Sequence, residues 1–203
     1  FSSAKSEHVA KGLDDAAYEK LFDEVDKLNE KYEGKIRILK SGEVDILKDG
    51  SLDLKPSTLE KMDYVIGAVH TNTNMDKEEL TKRIVKALDS GYVDILAHPT
   101  GRLINEREPM AFDIDAVFQA AAENKVVMEI NAFPNRLDLN DENILKARKY
   151  KLLFSIGTDS HRTSHLEFIR FRVGMARRGW LTKDEVINTY PLDKLLKLFK
   201  SIR

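Results

Sequence analysis

The sequence predicts an α/β fold, in which a parallel sheet is built from strands that alternate with helices. Three observations lead there. Short β-branched apolar runs alternate with segments of helical periodicity along nearly the whole chain. Runs such as Tyr92-Val-Asp-Ile-Leu-Ala97 are almost continuously apolar, as strands covered by helices must be. Five runs also end in a carboxylate or an imidazole, and the carboxyl ends of strands are where such folds gather chemistry.

Residues 1–13 are small and polar and read as a loop. Asp14 and Asp15 open a helix to about residue 32, with Leu21, Val25 and Leu28 on one face and Glu33-Gly34 as its stop. Residues 36–39 read as a strand, interrupted at Ser41-Gly42 and resumed over 43–47. Lys48-Asp-Gly-Ser51 is a turn, and Pro56 suits the start of a short helix over 56–61. Residues 63–69 form a strand; Asp76 caps a helix that Gly91 stops. Strands follow at 92–97, 126–131 and 152–157, and helices at 113–124, 140–149 and 164–178. Two short helices, 183–188 and 192–201, close the chain. About five strands result. Five can make an open doubly wound sheet, but no glycine-rich phosphate loop follows any of them, and a barrel would need more strands.

At 203 residues and 42% apolar, the chain can build one sizeable core and reads as a single domain over residues 1–203. Its formal charge of −1 provides no global basic field for nucleic acid, though a local patch remains open. Zero cysteines exclude disulfides and thiolate metal sites and fit a reducing cytoplasm. No apolar run approaches the roughly 20 residues of a membrane span. The first residue is Phe1, so the chain is expected to be processed, trimmed or cut from something longer.

The chemistry concentrates at the strand ends. Ser155-Ile-Gly-Thr-Asp-Ser-His161 ends an apolar run and then presents Asp159 and His161. His70 follows Val65–Val69, and His98 follows Ile95-Leu-Ala97 and precedes Pro99, which cannot extend a ladder. Imidazoles and carboxylates without sulfur suit Mn, Zn or Fe. Glu43 and Asp45 alternate onto one face of an apolar strand, where a carboxylate is costly unless paired or metal-bound. Glu43 is the preferred ligand; Asp45 reads as its structural or functional companion. Glu129 and Asn131 alternate likewise and read as support for the ligands or as a substrate contact. Arg102 and Arg136, on loops just past strand ends, suit bidentate phosphate recognition or are plain solvated surface arginines. The arginine-rich helix after Asp159 reads as a solvated face, and His8 and His165 as surface or capping residues.

These residues, with their surroundings, resemble the PHP (polymerase and histidinol phosphatase) domain, most closely that of family X DNA polymerases. The resemblance is carried by Glu43-Val-Asp-Ile-Leu47, Ala68-Val-His70, Thr81-Lys-Arg83 and Ile95-Leu-Ala-His-Pro-Thr-Gly-Arg-Leu103. It continues through Glu129-Ile-Asn131, Arg136-Leu-Asp-Leu139, Gly157-Thr-Asp-Ser-His161 and Ala176-Arg-Arg-Gly-Trp180. It implies a distorted (β/α)7 barrel, here without its first two strands, with up to three divalent ions, Mn²⁺ or Zn²⁺. Glu43 would bridge two of them, His70 and His98 would complete one site, Asp159 would join the other, and His161 would hold a third. It also implies metal-dependent hydrolysis at DNA ends, as 3′-to-5′ exonuclease, 3′-phosphatase or abasic-site cleavage, beside the polymerase core of a parent chain. Two departures stand out: the family's opening His-x-His and Thr-Asp-His strands are absent, and Ser41-Gly-Glu43 shifts the usual glycine by one place. Two other functions compete: a stand-alone phosphatase of small phosphate esters, and a PHP domain kept as a non-catalytic binding module.

Overall fold

The computed structural model describes residues 2–4 and 12–202, so His8 lies outside the described residues. Five parallel strands, β1 (Ser41–Asp45), β2 (Tyr64–Ala68), β3 (Ile95–Leu96), β4 (Val127–Asn131) and β5 (Phe154–Gly157), lie side by side in chain order. Sequential order is the order of a singly wound sheet, in which right-handed crossovers put successive helices on one face. The doubly wound alternative is thereby ruled out. The crossovers carry α2 (Pro56–Leu59), α3 (Lys77–Leu88), α4 (Ile114–Glu123) and α5 (Asp141–Arg148), and α1 (Asp15–Lys31) precedes β1. A 3₁₀ turn (Thr163–Phe168), α6 (Ile169–Arg178), two more 3₁₀ turns and α7 (Leu192–Lys200) follow β5.

The helices begin where capping chemistry puts them. Asp14, Asp76, Asp113 and Asn140 each accept a backbone N–H in the first turn of α1, α3, α4 and α5. On one face of the sheet, Val44 and Val65 pack under Tyr18 and Phe22 of α1, while Leu96, Met128 and Ile130 pack under α3 and α4. The opposite face has its own apolar layer. Ile66, Ile95 and Val127 are successive register partners, and α7 covers them with Phe199, whose ring stacks on Tyr64 at 5.0 Å. Glu43 is the register partner of Ile66 and so shares this second face. Glu129 and Asn131, two and four residues after Val127, do too. The face is therefore plugged by α7 at one end and polar at the other, where the strands finish.

Both sheet edges are capped locally. Ser3 N–H donates to Glu43 O (3.0 Å), and Ser3 Oγ accepts the Asp45 N–H (2.9 Å), so a seryl pair lies along β1. Along β5, the Asn188 side-chain amide bonds both the N–H (2.7 Å) and the carbonyl (3.0 Å) of Ile156.

Four expected elements take other forms. Residues 36–39 are not a strand, because the Asn29 side chain takes both the N–H and the carbonyl of Ile38 (2.7 and 2.9 Å). The strand at 92–97 shortens to β3, since Asp94 spends its carboxylate on Val65 N–H (2.7 Å). The helix expected at 164–178 starts as 3₁₀. The helix expected at 183–188 splits at Val186, which is extended and bridges Phe154.

Candidate metal centre

Glu43 lies inside β1, and its orientation depends on the residue before it. A Cβ at position 42 would overlap the Tyr18 phenol, so Gly42 lets α1 press against the strand beside Glu43. Ser41-Gly42 therefore belongs to β1 and does not interrupt it. Glu43 Oε1 stands 2.7 Å from His70 Nε2 and 3.1 Å from His98 Nε2. Burial opposes ionisation of Glu43, but the hydrogen bonds from His70 and His98 outweigh it and hold the pKa well below the usual carboxylate range.

The backbone beyond β2 places His70. Its N–H donates to Asp45 Oδ1 (3.0 Å), and its Nδ1 lies 3.4 Å from the same oxygen. Asp45 is fully buried and accepts from Thr71 Oγ1 as well (3.3 Å). A carboxylate behind an imidazole whose other nitrogen points into a site is the usual support for a ligating histidine. Burial lowers the His70 pKa, but the bonds to Asp45 and Glu43 prevail and lift it to about 9.

Arg83 of α3 holds the two strand ends together. Its buried guanidinium donates to the carbonyls of Ile46, Leu47 (2.9 Å) and Thr71 (2.9 Å).

His98 follows β3 with φ +27°, a conformation that L residues rarely adopt. Glu129 Oε2 accepts its N–H (2.7 Å), and the His98 carbonyl accepts Gly101 N–H (2.9 Å). Glu129 is enclosed; a Cβ on Gly157 would collide with it. Burial, reinforced by Glu43 and Asp159 against the effect of His98, raises the Glu129 pKa to about 7.

The remaining expected residues form a second tier. Asp159, also at positive φ (+49°), accepts from Asn131 Nδ2 (3.3 Å) and lies 3.7 Å from Arg136 Nε. His161 Nδ1 donates to Asp159 O (2.8 Å), and its side chain is 64% exposed, leaving Nε2 at the rim. Asn131 is not open to substrate. It is buried; its Oδ1 takes the Phe133 N–H (3.0 Å), and its Nδ2 is shared between Glu129 and Asp159. Arg102 turns two of its donors inward, to the carbonyls of Arg136 (2.9 Å) and Leu137 (2.5 Å). It braces the loop that carries Arg136, whose buried Nη1 has no hydrogen-bond partner among the described residues.

Asp138 completes the brace by accepting the N–H groups of Thr100 and Gly101 (2.8 and 2.9 Å). Sequence reasoning missed Arg83 and Asp138 as site residues. Each stands in a string that carries the resemblance and had a local signal besides: a cation within the apolar stripe Leu80, Ile84, Ala87, and an acid between two leucines.

Three ligand atoms, from Glu43, His70 and His98, lie within 4.8 Å of one another. One carboxylate and two imidazoles, one of them backed by Asp45, are a donor set for a borderline divalent cation with open coordination positions. The residues fit such an ion.

No family model matches the chain. It is 39% identical over 184 residues to the DNA polymerase/3′-5′ exonuclease PolX of Bacillus subtilis, a match covering 91% of this chain and 32% of that protein. It is 32% identical over 184 residues to a probable phosphatase of Thermoanaerobacter sp., covering 86% of this chain and 72% of that one. The chain belongs to the PHP family. The fold agrees: a Lactococcus lactis histidinol phosphate phosphatase, solved with Zn, L-histidinol and phosphate, superposes with TM-score 0.51 at 17% identity, covering 79% of this chain and 74% of that one. The chain spans about a third of the length of the PolX relative. Among the described residues, no helix is long and apolar enough to cross a membrane.

Proposed function

We propose that this PHP domain hydrolyses phosphoester bonds at DNA ends, as 3′-to-5′ exonuclease, 3′-phosphatase or abasic-site nuclease, beside the polymerase core of a cytoplasmic DNA-repair enzyme. One observation carries the hydrolytic part: the Glu43 carboxylate is held between the Nε2 atoms of His70 and His98 at 2.7 and 3.1 Å. The choice of DNA is supported by the 39% identity to a polymerase/exonuclease over 91% of this chain. When bound, a Mn²⁺ or Zn²⁺ ion supplies Lewis acidity toward a phosphoryl oxygen and acidifies water. Glu43, His70 and His98 would hold the first ion; Asp159 and His161 would contribute to further ones, up to three in all.

The chain's own groups do the rest. Asp45 fixes the His70 ring through the Nδ1 side, and Glu129 fixes the His98 backbone. Asn131 ties Glu129 to Asp159, so the two tiers keep one spacing. Arg136, on the loop braced by Arg102, is the cation that meets the phosphate; its position 3.7 Å from Asp159 puts it beside the ligands. The deciding experiment offers a 3′-labelled oligonucleotide, a 3′-phosphorylated oligonucleotide and histidinol phosphate with Mn²⁺ or Zn²⁺. Turnover of an oligonucleotide well above histidinol phosphate, lost on chelation, is expected. Turnover confined to the small ester would favour the stand-alone phosphatase, and none at all the non-catalytic module.

A further inference from the structure

Beside the metal centre stands an aromatic ridge that none of the hydrolytic groups uses. Phe133, two residues past Asn131, meets His165 edge-on (centroids 5.4 Å apart) and Phe168 at a right angle (5.6 Å). His165 and Phe168 stack at 5.0 Å, and Phe168 leads on to Phe171 at 6.2 Å. The ridge is tied to the site at two points. Phe133 N–H donates to Asn131 Oδ1 (3.0 Å), and His165 Nδ1 accepts the His161 N–H (3.3 Å). Its outer end is uncovered: Phe171 is 43% exposed, and Leu166 and Val173 of the same segment are exposed as well.

Charge tells what kind of ligand suits it. The Arg170 guanidinium sits 5.0 Å from the centre of the Phe171 ring. Between residues 162 and 178 the charged residues are five arginines and one acid, Glu167. An exposed apolar patch continuous with an active site marks a binding surface. Aromatic faces interleaved with guanidinium groups match a chain of bases and phosphates, because every base has a stacking face and every linkage an anion.

We propose that the ridge Phe133–His165–Phe168–Phe171 is the platform on which a base of a single-stranded nucleic-acid end stacks as that end enters the metal centre. Arg162 and Arg170 lie along the phosphates. The inference rests on the reading that this site acts on DNA ends, and it adds the conformation of the substrate: frayed or single-stranded near the cut, with the base unpaired and the preference independent of sequence.

The test compares binding of two dye-labelled strands by fluorescence anisotropy without added metal. One is an eight-residue thymidine oligonucleotide, the other an eight-residue abasic strand of the same backbone charge. The whole chain should prefer the thymidine strand. Phe171→Ala should weaken that strand about tenfold, and the abasic strand hardly at all, the size expected for one stacked base. Phe171→Trp should retain or improve the preference. If Phe171→Ala melts early, Phe171→Leu keeps the apolar bulk without the ring face and should show the same loss.

Equal binding of the two strands by the wild type, or an unchanged thymidine affinity in both the Ala and Leu variants, overturns the platform. A change of sedimentation in the variants with no change in DNA binding would assign the ridge to a protein contact and overturn it as well. Hydrolysis of methyl p-nitrophenyl phosphate by the wild-type protein with Mn²⁺ is measured separately. Its absence counts against the proposed hydrolysis, while the strand comparison alone judges the ridge.

Discussion

Glu129 Oε2 accepts the backbone N–H of His98 at 2.7 Å, and this bond pins a histidine that would not otherwise hold φ +27°. Glu129 therefore governs where the His98 imidazole stands, although its carboxylate is not among the three clustered ligands. Glu129→Ala removes the acceptor and should weaken divalent-metal affinity by about 10- to 100-fold, the usual cost of losing a group that orients a ligand. Glu129→Gln keeps an amide oxygen and should lose less. Isothermal titration with Mn²⁺ or Zn²⁺ checks both; equal affinity in the Ala variant would show that His98 is held without it.

Asp45 plays the matching part for His70, through both the N–H at 3.0 Å and Nδ1 at 3.4 Å. Asp45→Asn preserves volume but removes the charge that keeps the ring's Nε2 facing Glu43. Metal affinity should again fall by roughly an order of magnitude or more. The fold should also be weakened, since the site is fully buried. Titration and thermal melting in parallel separate the two effects.

Arg83 is a stability prediction. Its guanidinium serves carbonyls at the ends of β1 and β2 from a buried position. Arg83→Met fills the space but removes the guanidinium donor from the Ile46 and Thr71 carbonyls, while Leu47 O keeps the Gly50 N–H (2.8 Å), at a cost of about 1–3 kcal/mol for each carbonyl left unsatisfied. A destabilisation of about 3 kcal/mol or more in urea unfolding is expected; a loss below about 1 kcal/mol would mean that water replaces the guanidinium.

Much of this was legible in the sequence because it depends on short-range pattern. His70 and His98 directly follow apolar runs, so their place at strand ends could be read without any tertiary information. Glu43 could be singled out because a carboxylate in an apolar strand needs a reason. What could not be read is how polar atoms are shared between distant segments. Arg102 and Asn131 lie on the expected loop and strand, yet their donors go to Arg136, Leu137, Glu129 and Asp159, segments up to 35 residues away. The same limit explains the lost strand at 36–39, where β-branched residues favour extension but Asn29 captures Ile38.

The pH dependence of the metal-free domain follows from His70 and Glu129. His70 has its pKa raised to about 9 from an ordinary 6.5, so its contribution to stability is complete below 6.5 and is lost as pH rises through 9. Glu129, raised to about 7, is most favourable when protonated, and its burial becomes costly as pH climbs from about 4.5 to 7. Both effects have the same sign. The melting temperature of the metal-free protein should fall between pH 5 and 9, while metal affinity rises over the upper part of that range as His70 gives up its proton. A melting temperature that rises steadily to pH 9 without metal would contradict both assignments.

The central claim is that Glu43, His70 and His98 together hold a catalytic divalent ion. Anomalous X-ray diffraction at the zinc edge, on crystals of the whole chain grown with Zn²⁺, tests it most directly. A peak about 2.0–2.2 Å from a Glu43 carboxylate oxygen and from both Nε2 atoms is the expected result. It should vanish in His98→Ala crystals. A strong peak at His161 and His165 with none at Glu43, or a peak at Glu43 that survives the His98 substitution unchanged, would contradict the assignment.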